Sequence, residues 1–277
     1  MTTSVSVRKL IVGGTLRRYR QGLGLTLGDA AAILDCDRSK LSRIETGQRG
    51  IRRAELLGLL EEYGAGEKTQ EILAAIADDR KTWWRKYTPS LPPAWSDLAA
   101  LLSCASAITV YEAQQIPLLL QTGSYEKIVI DADRTLNERA SSALPEMLAD
   151  LRKTVMQPGG ATLRFIVGEA AFRGRAGGVM REQIARLGTG DGVPELRVLP
   201  FAAMPRPALW AASMTLLEFG DSPDIENVVH LGGPRGGVFL LGEDEVISCA
   251  RQLSELRGMA LAGDTAARLI AKAASGS

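Results

Sequence analysis

The stretch over residues 26–50, TLGDAAAILDCDRSKLSRIETGQRG, constrains this chain most, because two capped helices and a tight turn are written into one short segment. Thr26 is an N-cap residue whose hydroxyl can take a free amide of the first turn, and Asp29 three residues on completes a capping box. Leu27, Ala30, Ala31 and Leu34 then recur at helical spacing. Asp35 and Cys36 break the pattern, and Asp37 caps a second helix with Leu41 and Ile44 as its inward residues. Arg38, Ser39, Ser42 and Arg43 fall on the opposite face, with Lys40 at its edge. Gly47 closes the helix, since glycine enters the left-handed conformation at little cost.

A helix that buries only two side chains while presenting Arg, Lys and Ser suits a major groove. There Arg and Lys donate to guanine O6 and N7, and Ser contacts donors or acceptors. The run Arg38-Ser39-Lys40-Leu41-Ser42-Arg43-Ile44-Glu45-Thr46-Gly47-Gln48-Arg49 resembles the second helix and following loop of the Xre, phage-repressor-like, helix-turn-helix family. The resemblance implies a base-facing set of Arg38, Ser39, Lys40, Ser42 and Arg43. It also implies phosphate contacts from Gln48 and Arg49, to which the helix starts add Thr26 and Arg52. Where the family has Gly in the turn this chain has Asp35, a residue that tolerates left-handed backbone better than most.

Charge is distributed to match. The chain of 277 residues carries a net charge of +1. Residues 1–53 hold eleven Lys and Arg against four acids, a net +7, which leaves −6 for the remainder. A basic module on an acidic partner fits a nucleic-acid binder whose second half is repelled by phosphates. Cys36, Cys104 and Cys249 are widely spaced and odd in number. They read as small buried hydrophobes in a reducing compartment rather than as a disulfide framework or metal site. The opening MTTSVSVRKL lacks the apolar core of a signal peptide. The uncharged run over 98–111 is too short for a bilayer that needs about 20 residues. A soluble, cytoplasmic protein is expected.

In chain order, a first helix is predicted over 7–21, with Leu10, Ile11, Thr15, Leu16 and Tyr19 buried and Arg17, Arg18 and Arg20 outside. Further helices follow over 54–63, with a wide leucine face, and over 67–81. These five helices make an all-α unit over 7–80. Trp83, Trp84 and Tyr87 with Pro89, Pro92 and Pro93 form a joint over 81–95, its indoles docking the linker rather than stacking bases. Residues 96–277 read as a mixed effector domain. Helices are expected over 95–104, 124–130, 133–155 (kinked or split at Pro145), 179–187, 243–261 and 264–274. Strands are expected over 107–111, 162–167, 195–199, 214–219, 226–231 and 237–241, the last three as an antiparallel meander. The fold class is α+β with a mainly antiparallel sheet, not the regular alternation of a doubly wound fold.

The second half is similar to the effector domain of actinobacterial regulators described as Scr1-type and antitoxin-like. The similarity rests on Trp83-Trp84 with Tyr87, Tyr111-Glu112, Ile116-Pro117, Leu119-Leu120-Gln121-Thr122 and Tyr125. It continues in Val179-Met180-Arg181-Glu182-Gln183-Ile184, Val198-Leu199-Pro200-Phe201-Ala202 and Thr215-Leu216-Leu217-Glu218-Phe219. It implies a transcription regulator accompanied by a small protein from a neighbouring gene. Ala113, Leu118 and Gly232-Gly233 depart from that pattern.

No catalytic constellation emerges, and no cofactor, metal site or enzymatic activity is expected. His230 is the only histidine and reads as a satisfied sheet residue. Gly64-Ala-Gly-Glu-Lys-Thr69 departs from a phosphate loop at Glu67 and follows a helix. Gly188-Thr-Gly-Asp-Gly192 lacks the third glycine of a dinucleotide fingerprint. Gly232-Gly-Pro-Arg-Gly-Gly237 reads as a hairpin turn, and Glu112, Glu169 and Glu218 as solvated or ion-paired carboxylates. The expected function is a dimeric, sequence-specific regulator of an inverted-repeat operator in double-stranded DNA, modulated by a small partner protein. Two alternatives stand beside it: an antitoxin-like module that neutralises its partner, and a repressor that senses a small molecule.

Overall fold

The computed structural model describes residues 6–78, 82–174, 177–188, 195–203, 213–220, 222 and 224–275. Among these, five helices come first: α1 (Val7–Gly22), α2 (Leu27–Ile33), α3 (Arg38–Glu45), α4 (Arg53–Glu62) and α5 (Glu67–Ala77). The expected extension of α5 to residue 81 is corrected: the helix ends at Ala77, and Asp78 already takes extended backbone at ψ 113°. Each early boundary has a local cause. Thr26 and Asp29 form the expected capping box of α2, and Asp37 accepts the Lys40 amide at 2.7 Å. Asp35 takes the left-handed backbone of the turn at φ 46°.

The second half contains α6 (Pro93–Cys104), β1 (Ala107–Glu112), α7 (Gly123–Ala132), α8 (Glu138–Val155), β2 (Thr162–Gly168), α9 (Gly178–Gly188) and β3 (Glu195–Leu199). It ends with β4 (Met214–Glu218), β5 (Val228–Leu231), β6 (Val238–Leu240), α10 (Glu243–Met259) and α11 (Gly263–Ser275). The strands form one sheet in the order β3-β2-β1-β4-β5-β6. The α+β class holds, and β4, β5 and β6 make the expected meander, closed by the Gly-rich turn with Arg235, Gly236 and Gly237 at positive φ.

The expected mainly antiparallel character holds across β1, β4, β5 and β6, while β1, β2 and β3 run parallel, joined by helical crossovers. The reading of the long helix needs correction. The helix over 133–155 begins at Glu138 and is not split at Pro145. Leu144, Met147, Leu148 and Leu151 are all buried along one stripe, and that packing outweighs the backbone hydrogen bond that proline removes.

The sheet has two covered faces. Ile108, Val110, Phe165, Val167, Leu217 and Val228 share a core with α6, α8 and the first five helices. Tyr111, Ile166, Leu199, Leu216 and Val229 pack with Leu253 and Leu256 of α10. The helical half and the sheet half therefore share one apolar core. The expected joint is a 3-10 turn over Trp83–Tyr87 with Trp84 and Tyr87 buried. It docks on α8, where the Tyr87 hydroxyl donates to Asp150 at 2.8 Å and Lys86 pairs with the same carboxylate. Further contacts tie α1 and α5 to the sheet side: Tyr19 Oη donates to Asp224, Thr69 bonds Ser222 at 2.6 Å, and Arg18 pairs with Glu226.

Candidate nucleic-acid interface

α3 is held by its buried side. Leu41 and Ile44 are fully enclosed, each burial contributing about 1.5–3 kcal/mol. Below them α1 passes so close that a Cβ on Gly13 would collide with the Ile44 carbonyl oxygen and sit 2.9 Å from that of Glu45. Gly13→Ala should therefore push α3 off α1 and destabilise the chain by about 1–3 kcal/mol. Gly14→Ala, one residue along with nothing within 4 Å, should instead stabilise it by about 0.5–1 kcal/mol through helix propensity. Thermal unfolding of both variants checks the contrast, and equal melting temperatures would contradict it.

Arg20 departs from its expected place. It lies inside, with its side chain 10% exposed, and forms a bidentate pair with Glu45 at 2.7 and 2.9 Å. Its third nitrogen donates to the Leu25 carbonyl at 2.8 Å. This pair locks the last turn of α3 to α1 and to the α1–α2 turn. A signal for it existed in the sequence. An acid in the last turn of a helix opposes the helix dipole, so Glu45 needed a cation.

The expected base-facing set is only partly free. Arg38, Ser39 and Arg43 are exposed, and Ser42 is half-buried. Arg38 lies over Gly28 of α2, where any Cβ would meet its guanidinium. Arg43 Nε donates back to the Ser39 carbonyl at 3.1 Å, and the Ser39 hydroxyl donates to Asp37. Lys40 is half-buried, its ammonium 2.7 Å from Glu55 of α4, whose pKa that bond lowers. Asp37 is likewise held below the usual carboxylate range, first by Ser39 and then by the Lys40 amide.

The expected phosphate set surrounds this face. Gln48 and Arg49 are exposed on the loop after α3, which the Arg49 amide ties to the Arg43 carbonyl at 2.9 Å. Arg52 is exposed at the start of α4, its amide bonded to Glu55. Thr26 is exposed at the start of α2, with its amide and hydroxyl held by Asp29. Arg38, Arg43, Arg49 and Arg52 are thus exposed cations carried by α3, the loop after it and the start of α4. Exposed guanidinium groups are the side chains that donate to phosphate oxygens and to guanine edges.

Among the expected carboxylates, Glu169 pairs with Arg173 and Glu218 with Arg164. Glu112 does not fit that expectation. It is half-buried with the Ser213 hydroxyl as its hydrogen-bond donor and no cation paired with it among the described residues. The three cysteines are free and partly exposed.

Two helices crossing over a tight turn, with a basic face outward, define a helix-turn-helix protein, a DNA-binding regulator by class. Family comparison agrees: a helix-turn-helix domain model matches residues 11–72. A model described as a domain of unknown function, DUF5753, matches residues 95–272, and the chain belongs to that family. No curated protein and no solved structure matches the chain. Among the described residues, no helix is long and apolar enough to cross a membrane.

Proposed function

We propose that the chain is a sequence-specific transcription regulator of the Xre type that inserts α3 into the major groove and acts by binding, not catalysis. The observation that carries this reading is the exposed face of α3, with Arg38, Ser39 and Arg43 outward while Leu41, Ile44 and Glu45 anchor the opposite side. In this reading Arg43 reads a base, Arg49 a phosphate, and Lys40 would have to leave Glu55 to reach the duplex. Arg43→Ala should cost about 1–3 kcal/mol on the operator and relax preference at one position. Arg49→Ala should weaken all sequences alike and reduce the salt slope by about one ion. Binding titrations on operator and random DNA at several salt concentrations separate the two roles. Equal losses on both DNAs for both variants would overturn the assignment.

One such helix covers too few base pairs for selectivity, so a homodimer on an inverted repeat, with half-sites about one helical turn apart, is part of the proposal. A monomer by light scattering with a half-site footprint would contradict it. The sheet half is proposed to receive the controlling signal. Its likeness to Scr1-type effector domains supports a small protein from a neighbouring gene, whose binding and operator binding would be thermodynamically linked. One observation favours the small-molecule alternative: the sheet half holds a cavity open on one side.

A further inference from the structure

The register of the sheet sets Phe165 of β2, Val110 of β1, Thr215 of β4 and His230 of β5 in one row across the face that α6 covers. Glu112 follows one pleat further along the same face, with Ser213 bonded to it. α6, α7 and α8 roof this row without filling it, which leaves a cavity of about 460 Å³. Natural cores rarely keep voids larger than a water molecule, whereas small-molecule sites span about 300–1,000 Å³.

The lining selects charge. Among the described lining residues there are three carboxylates, Glu112, Glu126 and Asp133, and no lysine or arginine. Glu126 is committed to Arg152 at 2.6 Å, and Asp133 accepts from the Thr135 amide and hydroxyl. His230 is no counter-ion either. Its Nε2 lies 2.7 Å from the Gly236 carbonyl, and burial lowers its pKa. Among the described residues Glu112 is left with the Ser213 hydroxyl. Burial pushes its carboxyl up to about 7, against the Ser213 bond that lowers it. At the same wall the Trp95 indole N–H is buried with no hydrogen-bond partner among the described residues. A buried polar group without a partner is costly; a cationic head would relieve Glu112, while the indole N–H, a donor, could be met only by an acceptor elsewhere on a ligand.

We propose that this cavity binds a small amphipathic organic cation, its ammonium on Glu112 and its apolar body against Leu98, Leu102, Val110 and Phe165. α6 then carries occupancy towards the DNA-binding half. Its cavity side bears Trp95, Leu98 and Leu102, while Asp97 is buried among the start of α1. There it accepts from the Ser6 hydroxyl at 2.8 Å, the Val7 amide at 2.8 Å and Arg8 Nε at 2.9 Å. A ligand that shifts α6 therefore shifts the start of α1. Binding itself does not depend on the DNA-reading assignment, so the two can fail separately.

The test is calorimetric titration of the full-length protein, without DNA, by octylamine, octanol and octanoate, which share a tail and differ in head. Octylamine should bind saturably at one site and octanoate should not. Glu112→Gln, which can keep the Ser213 hydrogen bond and so should fold, should weaken octylamine about tenfold or more and leave octanol unchanged. Ser213→Ala should fold as well and retain the preference for the amine over the carboxylate. Hydrogen exchange should show altered protection in α1 on octylamine binding. Absence of saturable octylamine binding, equal affinity for octanoate, or an unchanged octylamine affinity in Glu112→Gln would overturn the site. Unchanged exchange in α1 at saturation would overturn the coupling.

Discussion

Arg20→Ala should lower the free energy of unfolding by about 3–5 kcal/mol, the usual cost of leaving one partner of a buried ion pair behind. Glu45 is 4% exposed and accepts two bonds from Arg20. Without the guanidinium, its carboxylate would lie among Leu, Ile and Tyr side chains at the negative end of α3, where the helix dipole adds to the penalty. Tyr63 shows how dry the site is. Burial, and then the Glu45 charge, push its phenol up to about 12, and its hydroxyl has no hydrogen-bond partner. The Leu25 carbonyl would lose its donor as well. Since the pair fixes the last turn of α3, the helix proposed to read bases, DNA binding should fall with stability. The double variant Arg20→Met/Glu45→Met removes both charges and should recover most of the loss, because a well-packed apolar pair replaces a desolvated ionic one at little cost. Urea unfolding of the three proteins decides the matter. A single variant within 1 kcal/mol of the parent, on the order of an exposed pair, would mean that water already reaches Glu45.

How much of this could be read from residues alone depends on whether the cause was local. Caps and turns are local, so Thr26–Asp29, Asp37, the left-handed Asp35 and the Gly-rich β5–β6 turn were legible from a few neighbouring side chains. Strand segments were legible from their β-branched and apolar runs, with β3 matching residue for residue. The antiparallel meander of β4–β6 was legible too, but the parallel direction of β1–β3 was not, because a parallel or an antiparallel neighbour asks the same alternation of a short buried strand. The continuity of α8 through Pro145 depends on a buried stripe that only the tertiary partners explain. The exposed residues of α3 were legible as a face. That Lys40 would be held by Glu55, fifteen residues away, and Arg20 by Glu45, twenty-five away, was not. The cavity is the extreme case: Glu112, Ser213 and His230 lie far apart in the chain and meet only through sheet register.

Glu112 should make the protein more stable towards acid than towards base over a defined window. Its carboxyl rises from an ordinary 4.5 to about 7 on folding, chiefly through burial. The folded chain therefore holds that proton more tightly than the unfolded chain. The resulting stability is fully present below the unfolded value and is lost as pH climbs through the folded one. Between pH 4.5 and pH 8 the loss is on the order of 2–3 kcal/mol, at about 1.4 kcal/mol per pKa unit. Glu112→Gln stays neutral throughout, so it should match the parent near pH 4.5 and exceed it by that amount at pH 8. His230, Asp133, Tyr111, Tyr125 and the Glu126–Arg152 pair surround the same region but are common to both proteins, so the difference between the two stability curves isolates Glu112. Urea unfolding at half-unit steps of pH gives those curves, and parallel curves would show a solvated carboxylate. Saturating octylamine adds a second condition. Its ammonium replaces the missing proton on Glu112, so the parent with octylamine should lose its decline towards pH 8, while the Gln variant should gain nothing that depends on pH over that range.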